Sequence, residues 1–366
     1  MNLFPAEQQC YTREHLSACD AQRAAEFIAW APVAFQVSRL MIKFGVLELL
    51  RDAPDGFTIE EIQNKTGLRK YALKILLEAS LSIGTVLINP DADRYLLSKT
   101  GWFLLNDPAT RVNIDFNHDV NYRGLFYLEE ALKSGKPEGL KTLGEWSTIY
   151  EGLSQLEPQV QKSWFAFDHF YSDHSFDEAL KIVFARHPRH IMDVGGNTGR
   201  FALRCVECDQ DVQVTIVDLP GQIGMMQENV KGEEGADRIV GYPTNILDEA
   251  GVLPEGPWDA IWMSQFLDCF SEEEIYSILC KARRVMGPDT TLYIMETFWN
   301  RQRFEPASLC LTMTSVYFTV MANGNSKMYH SDDMESQIKR AGLEVIATHD
   351  GLGQGHTIFE VKLKQQ

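Results

Sequence analysis

Apolar residues in "AFQVSRLMIKFGVLELL", Ala34 to Leu50, recur every three or four positions, which predicts a helix with one buried face. "TIEEIQNKTG" and "RKYALKILLEASLSIG" continue that period on either side of a turn at Gly67, and "TVLINPDADRYLLS" alternates around a turn at Asn89 to Asp93, as a hairpin does. Helix, turn, helix and hairpin together predict a winged-helix arrangement. From Asn113 to about His187 the pattern stays helical and aromatic, with Trp164, Phe165, Phe167, Phe170, Tyr171 and Phe176 crowded into "SWFAFDHFYSDHSF".

After Arg189 the period changes. "HIMDVGG", "VQVTIVDLP", "WDAIWMSQFL", "TLYIMETFW" and "TIFEVKLK" read as strands; "RFALRCVEC", "GQIGMMQENV", "SEEEIYSILCKARRVMG" and "DDMESQIKRAGLEVI" read as the helices between them. Such alternation predicts an α/β fold with a doubly wound, mostly parallel sheet, which binds ligands at the carboxyl ends of its strands. The expected organisation is a winged-helix-like domain over residues 1–110, a helical linker or lid over 111–187 and an α/β domain over 188–366.

Composition narrows the partners. Across 366 residues the formal charge is −17, a field that opposes nucleic acid and anionic membrane. Arg69, Lys70 and Lys74 are a thin basic supply for a DNA-reading helix against Glu60, Glu61 and Glu78, so the helical module is expected to pack on a partner subunit instead. The first residues carry no secretory pattern and no later stretch is long and apolar enough to span a bilayer; the chain reads as soluble and cytoplasmic. Seven scattered cysteines, with Cys205 and Cys208 as the one C-x-x-C, read as thiols rather than metal ligands, and no metal is expected.

The candidate chemistry sits where the first α/β strand ends. Gly195, Gly196 and Gly199 let the backbone turn sharply and let a ligand approach it. Asp218, ending the second strand, is placed to accept hydrogen bonds from both ribose hydroxyls of an adenine nucleoside. Nicotinamide, flavin and sulfonium nucleosides all satisfy that much. Asp193, beside the turn, would repel a pyrophosphate and favour a cation, so electrostatics favours a sulfonium ligand.

Taken in order, "DVGGNTGRFA", "VTIVDLP", "DAIWMSQFLDCFSEEEIYSILCKARRVMGPDTTLYIMET" and "MANGNSKMYHSDDMESQIKRAGLEV" resemble the plant-type O-methyltransferases and their bacterial relatives, which use S-adenosylmethionine. The resemblance runs from about Val33 to Lys362. It implies a homodimer formed through the N-terminal winged-helix domain and a small aromatic, quinone or polyketide-like acceptor. It also implies that Asp193, Gly195, Gly196 and Gly199 frame the methionine part of the cofactor, that Asp218 binds ribose, that Leu219, Asn245 and Ile246 contact adenine, and that Ser264 and Gln265 lie nearby. Asn197 replaces the third glycine of the usual loop, and asparagine tolerates the left-handed backbone required there.

The larger departure is "FLDCF". Many relatives have a histidine base at the position of Asp268, with an acidic residue at the position of Glu296 supporting it. Here two carboxyls would meet, one raising the pKa of the other and suiting it to act as a base. Asp268 could equally orient the acceptor or cap the following helix. The family's next acidic support finds Lys327 and Met328 instead. Phe167, Asp168, His169 and Tyr171 are candidate acceptor contacts, His169 being the spare imidazole. With the base replaced, carbon or nitrogen methylation and a non-catalytic cofactor-binding protein stay open as alternatives.

Overall fold

The computed structural model describes residues 3–364. They form two compact units, one built from Glu14–His118, the other from Asp119 onward together with the N-terminal stretch up to Arg13.

The smaller unit contains α2 (Ala18–Lys43), α3 (Val46–Arg51), α4 (Ile59–Thr66) and α5 (Lys70–Ile83), the hairpin β1 (Val86–Asn89) and β2 (Arg94–Leu97), then α6 (Lys99–Asn106) and α7 (Pro108–Phe116). A capping box starts α4: the Thr58 hydroxyl accepts from the N–H of Glu61, whose carboxylate accepts from the N–H of Thr58. Gly67 and Gly84, both left-handed, end α4 and α5. Met41, Leu47, Ile62, Leu73 and Leu77 form the core with no exposed surface. Helix, turn, helix and wing are as the period predicts, but α2 begins at Ala18, well before the Ala34 start of the apolar stripe. Its first half exposes Phe27, Ile28 and Trp30, so no buried face marks it.

In the larger unit α1 (Pro5–Tyr11) precedes a helical stretch of α8 (Leu128–Ser134), α9 (Ile149–Gly152), α10 (Pro158–Asp173) and α11 (Phe176–Val183). The sheet follows, in the order β5-β4-β3-β6-β7-β9-β8. Its first five strands, β3 (His190–Val194), β4 (Gln213–Asp218), β5 (Ile239–Pro243), β6 (Ala260–Ser264) and β7 (Thr291–Glu296), are parallel; β9 (His356–Leu363) runs antiparallel to both of its neighbours, β7 and β8 (Leu343–Leu352). The intervening helices are α12 (Arg200–Cys208), α13 (Pro220–Val230), α14 (Glu272–Val285), α15 (Glu305–Tyr317) and α16 (Ser331–Arg340).

Alternation along the strands divides the core between two faces. Met192, Val194, Ile261, Met263, Leu292 and Ile294 pack with Ile275, Leu279 and Ile338 on one; Ile191, Ile216, Trp262 and Tyr293 pack with Ala179, Ala202 and Met226 on the other. The five expected strands are present, and two more flank them. β5 was not expected, and "GLEVI", read as the end of a helix, belongs to β8: α16 stops at Arg340 and Gly342 adopts a positive φ before the strand begins. Of the C-x-x-C pair, Cys205 is buried and Cys208 exposed, so α12 turns them to different surroundings.

Candidate active site

β3 delivers Asp193, 2% exposed, into a turn in which Gly195, Asn197 and Gly199 all have positive φ, at 78°, 48° and 80°. A Cβ at Gly195 would lie 2.2 Å from the Phe266 ring, and one at Gly196 2.7 Å from Asp193 Oδ2. The glycines are therefore demanded by packing as well as by conformation. Asp218, ending β4, reaches across: its Oδ2 accepts from the N–H of Asn197 at 2.9 Å and its Oδ1 from the N–H of Leu219 at 2.7 Å. It thus fastens the turn, and the remaining lone pairs of its oxygens are what a ribose would meet.

Two chambers open around this turn. The smaller, of about 80 Å³, is lined by Asp193, Gly196, Arg200, Ser264 and His169 among others; the larger, of about 320 Å³, runs from Asp218, Leu219, Asn245 and Ile246 to a wall of aromatic and acidic groups. Asp168, Gly195, Asn197 and Gln265 line both and mark the junction. Asp193 Oδ2 and Ser264 Oγ are buried without hydrogen-bond partners. Burial pushes the Asp193 pKa up to about 8, the Asp218 charge adding to the rise, while Asp218 itself rises by burial to about 6. A buried carboxyl with an orphan oxygen fits a cationic, donor-bearing ligand such as the amino group of S-adenosylmethionine and would oppose a phosphate.

Asn245 and Ile246 follow β5. The Asn245 side chain is spent on its own turn, donating to Asp248 Oδ1 at 3.0 Å and accepting from the N–H of Leu247 at 3.1 Å, so Ile246 offers the apolar contact. Gln265 has φ +45° and lies 3.1 Å from His356 Nε2, the His356 Nδ1 being 2.7 Å from Ser175 Oγ. This relay holds a strained residue at the junction. Sequence reading missed it, because Ser175 and His356 lie far from Gln265 along the chain.

At the other end of the large chamber, Asp268 sits in a short helical turn after β6 and is 5% exposed. It does not cap α14: Ser271 does, in a capping box with Glu274. Glu296, at the end of β7, accepts with Oε1 from the N–H groups of Phe266 (3.1 Å) and Leu267 (2.8 Å), holding the loop that carries Asp268, while its Oε2 is buried without a partner. Burial raises the Asp268 pKa to about 6, and burial together with the Asp268 charge lifts Glu296 well above the carboxylate range. The two carboxyls thus oppose each other's ionisation, the Asp268 charge adding to the rise at Glu296.

Of the aromatic-segment candidates, Phe167 lines the large chamber and Asp168 both. Asp168 Oδ2 accepts from Asn197 Nδ2 at 3.2 Å, and burial, then the charges of Asp268 and Asp173, raise its pKa to about 7. His169 lines only the small chamber, beneath the glycine turn, with its pKa lowered by burial and by Arg200; it does not face the acceptor side. Tyr171 lines neither chamber and packs its ring against Phe167 and Phe170. Residues not singled out complete the wall: Tyr150, Tyr317, which accepts from Trp164 Nε1 at 2.8 Å, and Phe318. At the position of the missing acidic support, Met328 lines the chamber while Lys327 pairs with Asp333 at 3.2 Å.

The O-methyltransferase domain family matches residues 127–344 and the Dimerisation2-like domain family residues 22–95. The chain is 21% identical over 319 residues to demethylspheroidene O-methyltransferase of Rhodobacter capsulatus, covering 86% of this chain and 75% of that one. Its fold is similar to that of the S-adenosylmethionine-dependent methyltransferase SibL, with TM-score 0.72, 20% identity and coverage of 93% and 99% of the two chains. It is also similar to NcsB1, an O-methyltransferase from neocarzinostatin biosynthesis solved with S-adenosylmethionine and 2-hydroxy-5-methyl naphthoic acid: TM-score 0.65, 18% identity, and 90% and 95% covered.

Proposed function

The chain belongs to the O-methyltransferase family and is an S-adenosylmethionine-dependent O-methyltransferase; from that premise we propose that it methylates a hydroxyl of a small aromatic, quinone or polyketide-like acceptor, with Asp268 as the base. The observation that carries this reading is a buried carboxyl, Asp268, on the wall of an aromatic chamber that adjoins the glycine turn, its pKa raised by burial to about 6.

S-adenosylmethionine, when bound, supplies a methyl group on a positively charged sulfur. Asp193 and Ser264 would hold its amino-acid part, Asp218 its ribose, and Leu219 and Ile246 its base. Phe167, Trp164, Tyr317 and Phe318 form flat walls that orient an aromatic acceptor and exclude water. Asp268 accepts the proton of the acceptor hydroxyl, and Glu296 keeps the Asp268 loop in place through the two backbone N–H groups. Alignment of acceptor and donor supplies much of the rate, and a base adds on the order of 10²–10⁴.

The N-terminal unit supports a homodimer: Phe27, Ile28 and Trp30 on α2 are 52%, 74% and 63% exposed, an apolar surface suited to a second copy within the stretch that matches the Dimerisation2-like family.

Isothermal titration with S-adenosylmethionine and its demethylated product tests the cofactor assignment. Micromolar binding is expected, weakened by about 1–3 kcal/mol in Asp218→Ala, the usual cost of leaving buried polar groups poorly paired. Binding that ignores the substitution would remove Asp218 from the site, and no binding at all would defeat the residue assignments together.

A further inference from the structure

The charge on the wall of the large chamber is of one sign. Glu151, Asp168, Asp268 and Glu274 line it, Asp218 stands at its nucleoside end, and no Lys, Arg or His is present among the described lining residues. Two of these carboxylates already serve the backbone: Glu274 accepts from the N–H and hydroxyl of Ser271, and Glu151 from the N–H of Ser147. Asp168, on α10, accepts from Asn197 Nδ2 at 3.2 Å and feels the Arg200 charge, and Asp268 follows β6. Asp268 has no cationic partner among the described residues, and the Cys269 thiol donates to its Oδ1 at 3.5 Å.

A second feature favours the same ligand chemistry. The chamber is walled by Trp164, Phe167, Phe266, Phe270, Tyr317 and Phe318. Aromatic faces attract a cation and gain nothing from an anion. An acceptor bearing a carboxylate would meet acidic groups and ring faces with no Lys, Arg or His on the described wall, whereas a protonated amine would find both of its usual partners.

Resting on the O-methyltransferase reading above, we propose that the acceptor is a hydroxyarene bearing a protonated amine, whose ammonium is received by Asp168 while its hydroxyl faces Asp268. Asp168 is then a specificity-determining residue. Its bond to Asn197 fixes the ammonium site relative to the glycine turn, and so the distance between the ammonium and the reacting oxygen. In the transfer, the acceptor oxygen forms its bond to the methyl carbon as the sulfur–methyl bond breaks, the electron pair returning to sulfur. The hydroxyl proton passes to Asp268 and from there to solvent.

The test is a binding measurement, independent of turnover. With the protein saturated by the demethylated cofactor, titrate three catechols that differ only in carrying an aminoethyl, an ethyl or a carboxymethyl group. Tenfold or tighter binding of the amine than of the neutral compound is expected, with the acid weakest. Asp168→Asn should collapse the amine-to-neutral ratio towards one, and Asp168→Glu should keep it above one. Because each ratio is taken within one variant, a general loss of packing cancels. An acid that binds as well as the amine, an amine that does not bind, or a preference that survives Asp168→Asn would overturn the proposal. Failure of the demethylated cofactor itself to bind would instead count against the reading on which the proposal rests.

Discussion

At the scale of single residues the departure that bears most on the proposed chemistry is Asp268, and its burial is the feature that would suit a carboxyl to that place. A carboxylate in water is too weak a base to remain half protonated near pH 6, but burial brings Asp268 there, the Cys269 thiol opposing the rise. As the proposed base, Asp268 must be ionised to act, so on that reading kcat/KM should climb with pH through about 6 and then level. Asp268→Asn keeps the shape and removes the base. A fall of roughly 10²–10⁴ in kcat/KM, with loss of the rising limb, is expected for a phenolic acceptor. A variant that keeps its rate and its pH profile would place the proton elsewhere. Glu296 accepts with its Oε1 from the N–H groups of Phe266 and Leu267 and so holds the loop that carries Asp268, the positioning role proposed for it.

At the scale of elements the glycine turn shows how little freedom the loop has. Gly195→Ala forces a side chain to φ +78° and drives its Cβ into the Phe266 ring, the ring that also packs on Phe270 ahead of α14. A loss of about 1–3 kcal/mol in stability and weaker cofactor binding are expected from denaturant melts and titration. Gly221→Ala, in α13 with open space around its Cβ and no positive φ, is the control and should be neutral or stabilising by up to about 1 kcal/mol. A Gly195→Ala protein as stable as this control would refute the packing argument. The same scale explains what the sequence made legible. Largely buried strands carry short apolar runs, so β3, β4, β6, β7 and β9 stand out. The two strands that escaped are the two edges of the sheet: β5 contains a glycine and ends in proline, and β8 is half exposed along its length. The cofactor side of the site, local to strand ends, could be read from motif spacing. Of the acceptor wall, Phe167, Asp168 and Asp268 were legible in the sequence, but Tyr150, Tyr317 and Phe318 were not, because they come from distant segments and only packing brings them together.

At the scale of the whole molecule the site is a store of unfavourable charge. Asp168, Asp193, Asp218 and Asp268 have pKa values raised to about 7, 8, 6 and 6 from an ordinary value of 3.8. A carboxyl whose folded pKa lies above its unfolded one binds its proton more tightly when folded. Its contribution is complete below the unfolded value and is lost as pH rises through the folded one. Two other groups of residues titrate elsewhere. Asp350 and Glu360 are held low by Arg301, His349 and Arg186 and are already ionised at neutral pH, and His356, pushed down to about 4, is neutral in the folded protein. The stretch from pH 7 to 8 therefore reports on Asp168 and Asp193, together with Glu296, which burial and the Asp268 charge lift well above the carboxylate range. The ligand-free protein should lose stability across that stretch, with a slope of up to about 1.4 kcal/mol per pH unit for each group still titrating. Saturating S-adenosylmethionine should flatten the slope, because a cation beside Asp193 favours the ionised carboxylate that the empty chamber disfavours. Asp193→Asn should flatten it without ligand. Chemical melts at pH 7 and 8 on these three samples decide the matter: ligand-free stability that is level or rising between them would mean that the buried carboxylates are already ionised in the folded protein, and that the site meets its cofactor with its charge in place.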